Sequence, residues 1–205
     1  MKIFLTGSSG FIGFHLSKKL LDKGHSVHGF DSMNNYYDVK LKKDRYKILS
    51  RYKNFSFTKG NLENQKNLSK SILRFKPKII IHLAAQAGVR YSIKNPRVYL
   101  DSNITGTYNI IELAKKVNVK HLLIASSSSV YGANTKLPFK ETDKTEKQLS
   151  IYAATKKSTE SIAHSYSNIW KIPITMMRLF TVYGPWGRPD MALFKFTKGI
   201  INKKK

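Results

Sequence analysis

The 205-residue chain contains no cysteine. That excludes disulfide staples, thiolate nucleophiles and cysteine-rich zinc sites. Acidic residues are scarce: 12 Asp and Glu stand against 37 Lys and Arg, for a formal net charge of +25. Long apolar runs are absent as well. None approaches the ~20 residues that cross a bilayer. The apolar start "MKIFLTGSSGFIGFHL" is broken by Gly and Ser and has no small-residue cleavage site after it, so it does not read as a signal peptide. No internal repeat and no low-complexity tract occurs. Histidines are few and dispersed. His25 and His28 share a strand, the others are isolated, and no H-x-x-x-H spacing is present, so no metal site is expected. These absences point to a cytoplasmic protein that does not enter a membrane.

What remains is ample for a core, since 41% of residues are hydrophobic. The length suits one domain with a small appendage. The basic excess runs from Lys2 to Lys205 without gathering into one motif, so nucleic acid is not expected as the main partner. The same field suits a phosphate-bearing small ligand, an acidic partner, or an acidic segment outside the chain.

Strand and helix patterns alternate. "KIFLTG" reads as a strand, followed by helical spacing from Phe11 to Lys23. "HSVHGFD" is a second strand ending at Asp31, and "DVKLKKDRYKILSRY" a charged helix. "FSFTKGN" is a strand, and Leu68 to Phe75 carry helical spacing. "PKIIIHLAA" is a nearly continuous apolar strand, as a sheet covered on both faces requires. A helix from Pro96 to about Val117, the strand "KHLLIASSS", the long helix "IYAATKKSTESIAHSYSNIW" and the strand "PITMMRLFTV" complete the series. This order predicts an α/β fold, a doubly wound parallel sheet of the Rossmann type with right-handed crossovers. Residues 1–180 form the dinucleotide-binding domain on this reading, and 181–205 open a substrate-binding region.

"TGSSGFIG" sets Gly7, Gly10 and Gly13 between the first strand and first helix. Gly7 permits the tight turn, Gly10 lets backbone approach a pyrophosphate, and Gly13 lets helix pack close on strand. The unpaired N–H groups and positive end of the helix complete an anion site. The spacing is G-x-x-G-x-x-G rather than G-x-G-x-x-G, and a glycine trio alone is equally a plain strand–turn–helix junction. Asp31, at the end of the second strand, raises the case: its carboxylate can accept both adenosine ribose hydroxyls and repels a 2′-phosphate, which favours NAD over NADP.

"YAATK" puts Tyr152 and Lys156 on one helix face. A tyrosine with a pKa of roughly 10 is a poor base at neutral pH. A lysine cation at ~4 Å is worth about 4 kcal/mol at an effective dielectric of 20, or about 3 pKa units, which predicts a working tyrosinate. In isolation such a pair is usually a solvated helix face. Its place after "SSSSVYG", at the carboxyl end of the fifth strand, is where ligands sit in these sheets. One hydroxyl of Ser126 to Ser129 could then bond a reacting oxygen. No G-x-S-x-G elbow surrounds these serines, so they do not read as hydrolase nucleophiles. "NNYYD" reads as a surface loop that could stack a base.

Together, "TGSSGFIG", "HLAAQAGVRYS", "DSNITGT", "SSSSVYG", "YAATK" and "RLFTVYGP" resemble, in order, the extended short-chain dehydrogenase/reductase family of NAD-dependent epimerases and dehydratases. "NNYYDVKLK", "SSSSVYGANTKLPF", "YAATKKSTE" and "FTVYGPWGRPDMALFKFTK" resemble its UDP-glucuronate 4-epimerase branch. The resemblance implies NAD as cofactor and a UDP-sugar as substrate, converted through a 4-keto intermediate for surface polysaccharide precursors. Tyr152 would take the 4-hydroxyl proton, Lys156 would hold the nicotinamide ribose and lower the Tyr152 pKa, and Ser127 would be the catalytic hydroxyl. Gly7, Gly10, Phe11, Ile12, Gly13, Asp31, Asn61, Leu62, Leu83, Ala84, Ala85, Gln86, Asn103, Tyr152 and Lys156 map to the cofactor. Val89, Arg90, Ser127, Ser128, Ser129, Tyr152, Thr181 and Arg188 map to the substrate, with Thr181 and Arg188 toward the uronate carboxylate, for which a guanidinium is suited. Asn61 stands where the family usually has an Asp near the adenine. The helices from Pro96 and Ile151 imply a homodimer. A related nucleotide-sugar dehydratase or decarboxylase is a further alternative; Ser128 and Ser129 stand where a dehydratase needs acids, which disfavours dehydration. Members of the family continue beyond this length, so the chain reads as C-terminally truncated, and an NAD-binding remnant without turnover is the competing expectation.

Overall fold

The computed structural model describes residues 1–203; Lys204 and Lys205, the end of the predicted 181–205 region, lie outside the described residues. Six strands form one sheet: β1 (Lys2–Thr6), β2 (Ser26–Asp31), β3 (Phe55–Lys59), β4 (Ile79–His82), β5 (His121–Ser127) and β6 (Ile174–Leu179). Their order is β3-β2-β1-β4-β5-β6, and every pairing is parallel. The order reverses between β1 and β4, which opens a crevice at their carboxyl ends.

Residue alternation along β1 sends side chains to two cores. Ile3 and Leu5 pack with Phe14 and Leu21 of α1 (Phe11–Asp22) and Leu49 of α2 (Val39–Leu49). Phe4 packs on the other face with Leu68 and Ile72 of α3 (Gln65–Phe75), Ile110 and Ile111 of α6 (Gly106–Lys116), and Ala163 of α7 (Ile151–Trp170). Ile80 and Ile81 of β4 are buried on opposite faces, the covered central strand that its apolar run predicts.

Three local readings need correction, and one short helix is added. α3 starts at Gln65 rather than Leu68, because the Asn64 side chain caps it by accepting from Asn67 N at 3.0 Å. A short helix α4 (Val89–Lys94) intervenes after Gly88, whose φ of 102° is a backbone conformation open chiefly to glycine. The helix from Pro96 is composite: α5 (Pro96–Tyr99), a wide π-type turn over Leu100–Thr105, then α6. β6 stops at Leu179 rather than at Val182, since β5, its only partner strand among the described residues, ends at Ser127, the residue opposite Leu179.

Charge is arranged along the helices. α1, α2, α3, α6 and α8 (Ala192–Ile201) carry a basic residue in the last turn and no acid in the first. Cations there complement the negative end of the helix dipole. α8 has no buried residue, and Leu193, Phe196 and Ile200 are exposed. Among the described residues no helix is long and apolar enough to cross a membrane.

Candidate active site

The turn from β1 into α1 is built by its glycines. Gly7 has φ of +74°, and a Cβ there would lie 2.9 Å from the Ala84 nitrogen of the neighbouring strand end. A Cβ on Gly13 would overlap the Gly7 carbonyl, so α1 rests directly on the loop. Gly10 is the N-cap and provides no side-chain cap. The first α1 N–H with a backbone acceptor is that of Phe14, to the Gly10 carbonyl at 2.9 Å. The Phe11 and Ile12 N–H groups therefore have no intrahelical acceptor. The Ser8 and Ser9 hydroxyls are buried and have no hydrogen-bond partner among the described residues. A cradle of backbone donors with no carboxylate in the helix's first turn suits a diphosphate.

Asp31 ends β2 beside this loop, accepting from Ser9 N at 3.0 Å and from Met33 N at 2.8 Å. Burial pushes its pKa up, opposed by those two N–H bonds and by the Lys42 and Arg45 charges. Each carboxylate oxygen retains a free lone pair for a ribose hydroxyl. Asn61 is exposed at the far rim, but Leu62 belongs to the core, where it fills the space over Gly106.

β5 delivers Ser127 to the crevice. The Ser127 side chain accepts from Ser129 N at 3.2 Å, closing the short turn Ser128–Tyr131. Ser126, one residue earlier, points the other way. It donates to Glu160 of α7 at 2.6 Å, and Glu160 is paired with Arg178 of β6 by two bonds of 3.0 Å. That buried network locks α7 against β5 and β6. It sets Tyr152 next to Ser127 and brings Lys156 under the end of β5, where its Nζ donates to the Ala125 carbonyl at 2.8 Å.

The electrostatics differ from the expectation drawn from spacing. Burial raises the Tyr152 pKa, while the Ser127 hydroxyl and the Arg188 charge lower it; Lys156 is not among its perturbing groups. The ammonium is directed to a backbone carbonyl, so the predicted lysine-driven depression is not realised in this arrangement. Lys156 is itself depressed, to about 8, by burial.

Asn103 stands apart from the other matched positions. Its amide carbonyl accepts from Gln86 N at 2.8 Å, and its NH2 donates to the Gln86 carbonyl at 3.1 Å and to Thr155 at 3.1 Å. With no exposed surface, it fastens the loop Leu83–Gln86 to α7 from beneath, so its assignment as a cofactor contact becomes one of support. Leu83, Ala84 and Ala85 are half-buried along the crevice, and Gln86 is buried. Ala84 N is held by Thr6, which also bonds the buried His82; burial pushes that imidazole down to about 3.

The substrate-side positions are more dispersed. Val89 and Arg90 are exposed at the start of α4, Ser128 and Ser129 are half-buried, and Thr181 is exposed in the loop after β6. Arg188 is half-buried, and its guanidinium fork is on the Asp190 carboxylate, with Nε at 3.0 Å. It also lies over the Tyr36 and Tyr37 rings at 5.6 and 6.0 Å. Sequence reasoning missed Asp190, Glu160, Arg178, Lys42 and Arg45. The spacing Lys156–Glu160, one helical turn, was the available signal for one of them.

A model of the NAD dependent epimerase/dehydratase family matches residues 3–205. The protein CapI of Staphylococcus aureus is 58% identical over 202 residues, which cover 98% of this chain and 60% of CapI. A probable UDP-glucuronate 4-epimerase of Rhizobium meliloti is 54% identical, covering 98% of this chain and 59% of that protein. The crystal structure of UDP-glucuronic acid 4-epimerase from Bacillus cereus, in complex with UDP-glucuronic acid and NAD, superposes with a TM-score of 0.92 at 35% identity, covering all of this chain and 64% of that one. The chain thus spans about 60% of the length of the curated relatives it matches. With the glycine loop, the parallel six-stranded sheet and the Ser127–Tyr152–Lys156 group on one edge, the chain belongs to the NAD dependent epimerase/dehydratase family.

Proposed function

We propose that this chain is the cofactor-holding and proton-transferring part of a nucleotide-sugar 4-epimerase, an isomerase that interconverts UDP-glucuronate and UDP-galacturonate. The observation that carries the reading is the placement of Ser127, Tyr152 and Lys156 at the carboxyl edge of the sheet, across the switch point from the glycine loop. The naming of the Rhizobium meliloti and Bacillus cereus proteins supports it.

The loop from Gly7 to Gly13 fits NAD: Phe11 and Ile12 N–H groups would hold the pyrophosphate and Asp31 the adenosine ribose. When bound, NAD supplies a hydride acceptor and donor for the sugar's C4. The chain's own residues handle the proton. Tyr152 Oη would take it from the 4-hydroxyl and later return it, with the Ser127 hydroxyl bonded to the same oxygen. Burial keeps Tyr152 protonated until a cation is brought to bear. Lys156 Nζ has two N–H donors left after the Ala125 carbonyl, one of which can serve a ribose hydroxyl. Arg188 would hold the uronate carboxylate. Asp190 holds that fork in a bidentate pair here, so the uronate carboxylate would displace Asp190 to reach it.

The same reading makes residues 1–180 the cofactor domain and 181–205 the start of the substrate region, in a cytoplasmic homodimer that supplies uronate precursors for surface polysaccharide. A second reading, cofactor binding without turnover, draws on the apolar face of α8, which is left uncovered in this chain. One experiment separates them. The chain is incubated with UDP-glucuronate and NAD, and UDP-galacturonate is sought by anion-exchange chromatography and proton NMR. The expected result is product with the native chain and none with Tyr152→Phe. Bound NAD without product favours the second reading, and full activity in Tyr152→Phe refutes the proton-transfer role.

A further inference from the structure

Arg45 has no part in the function proposed above, yet it heads the fully buried side chains of the described residues by size. Removing a guanidinium from water costs several kcal/mol unless charge or hydrogen bonds offset it. Its partners are oxygens of backbone and phenol rather than a paired carboxylate. One Nη donates to the Ser9 carbonyl at 3.0 Å and to the Tyr37 hydroxyl at 2.8 Å. The other donates to the Trp186 carbonyl and, at 3.5 Å, to that of Gly187. Its Nε is buried without a partner. On α2 it shares the inward stripe with Leu49, where an apolar residue would satisfy packing at lower cost. What the cation gains is reach: Ser9 lies in the dinucleotide loop, and Trp186 is 141 positions away along the chain.

The turn it grips is otherwise lightly held. Gly187 N closes it on the Gly184 carbonyl at 3.0 Å, and Trp186 sits at a φ of 62°, a left-handed conformation that a bulky residue adopts only when its surroundings hold it. α1 supplies two further contacts: the Trp186 ring lies 5.7 Å from Phe14, and His15 bonds the Pro185 carbonyl at 2.9 Å. The next residue is Arg188. Tyr37 touches both arginines, by its hydroxyl to Arg45 and by its ring to Arg188.

We propose that Arg45 is a positioning residue that fastens the Gly184–Arg188 turn to the dinucleotide loop, keeping the carboxylate-binding arginine in register with the cofactor. The clamp itself stands on geometry; only the ligand given to Arg188 rests on the function proposed above. Two single-tryptophan forms test it: Trp170→Phe leaves Trp186 beside the clamp, and Trp186→Phe leaves Trp170 at the far end of α7. Each is combined with Arg45→Met, which deletes the cation, and with Arg45→Lys, which keeps the charge but loses the fork and serves where the Met form does not fold. Acrylamide quenching of Trp186 is expected to rise about two-fold in the Arg45 variants, with Trp170 unchanged, as for local loosening. Unchanged Trp186 quenching, or an equal rise at both tryptophans, overturns the proposal, the latter because it marks a general structural role. A second measurement compares affinities for UDP-glucuronate and for UDP-glucose, which lacks the carboxylate. Arg45→Lys is expected to lower the preference for the uronate about ten-fold, the loss of about one charge-assisted bond. If the native chain binds neither sugar nucleotide, the function proposed above fails, while the quenching result still decides the clamp.

Discussion

Lys156 is an expensive residue, and replacing it by methionine turns that expense into a measurable gain. The ammonium is fully buried, and burial lowers its pKa from 10.5 to about 8. At ~1.4 kcal/mol per unit, that depression corresponds to about 3 kcal/mol of destabilisation of the charged form in the ligand-free protein at pH 7. Methionine has nearly the same shape and no charge. It gives up the bond to the Ala125 carbonyl, which costs about 1 kcal/mol. Lys156→Met is therefore expected to stabilise the cofactor-free chain by about 2 kcal/mol at pH 7, a rise in Tm of about 4–8 °C for a domain of this size. The pH dependence gives the sharper check. Because the folded-state pKa is the lower one, the unfolded chain binds more protons between about 8 and 10.5, and native stability rises with pH across that window. The methionine variant has no such gain, so its advantage is full below pH 8 and shrinks toward pH 10.5. Thermal unfolding followed by circular dichroism from pH 6.5 to 10.5 reads both. A variant less stable than the native chain at pH 7, or an advantage flat across the window, would refute the burial argument.

Three further variants probe how the site is supported. Glu160→Gln leaves the half-buried Arg178 with the Glu141 carbonyl and the Tyr131 ring but without its counter-charge and should destabilise by about 1.5 kcal/mol, read in urea unfolding, while Glu160→Leu with Arg178→Met should recover most of the loss. Burial opposes ionisation of Glu160, but Arg178 and Ser126 outweigh it and hold its pKa below the usual value; native stability should accordingly fall as pH drops below about 4.3, and less so in Glu160→Gln. Asn103→Ala removes the bonds that hold Gln86 and Thr155, and should cost about 2–3 kcal/mol and weaken NAD retention in equilibrium dialysis without changing the helix content.

What was legible in the sequence followed local rules. The glycine trio, the apolar run at Ile79–Ile81 and the carboxylate at the end of β2 each occupy the position that strand–turn–helix geometry assigns them. Tyr152 and Lys156 were legible because a helical repeat fixes their shared face. The rest was hidden for reasons that can be named. "DVKLKKDRYKIL" looks like a solvated helix, yet Lys42, Arg45 and Leu49 form its buried face, because cations fill positions that normally advertise themselves by hydrophobicity. The supporting role of Asn103, between Gln86 and Thr155, depends on the wide turn in which it sits, and no local pattern announces such a turn. Where the Lys156 ammonium goes was not legible, because helical spacing fixes Cβ positions and not the direction of a four-carbon side chain, whose Nζ here donates to the Ala125 carbonyl.

The basic last turns of the helices have an electrical consequence. In a parallel sheet the crossover helices run opposite to the strands, so their amino ends face the crevice and their carboxyl ends the opposite edge. Lys19, Lys47, Arg74, Lys115 and Lys116 therefore place charge on the side remote from ligands. Each is favoured there by the dipole, by about 0.3–1 kcal/mol, so part of the +25 excess is carried where it costs least. Added salt weakens this favourable pairing and the mutual repulsion of the lysines together, two effects of opposite sign. A protein with so lopsided a charge can thus remain indifferent to ionic strength in its folding while its attraction for a diphosphate stays strongly dependent on it.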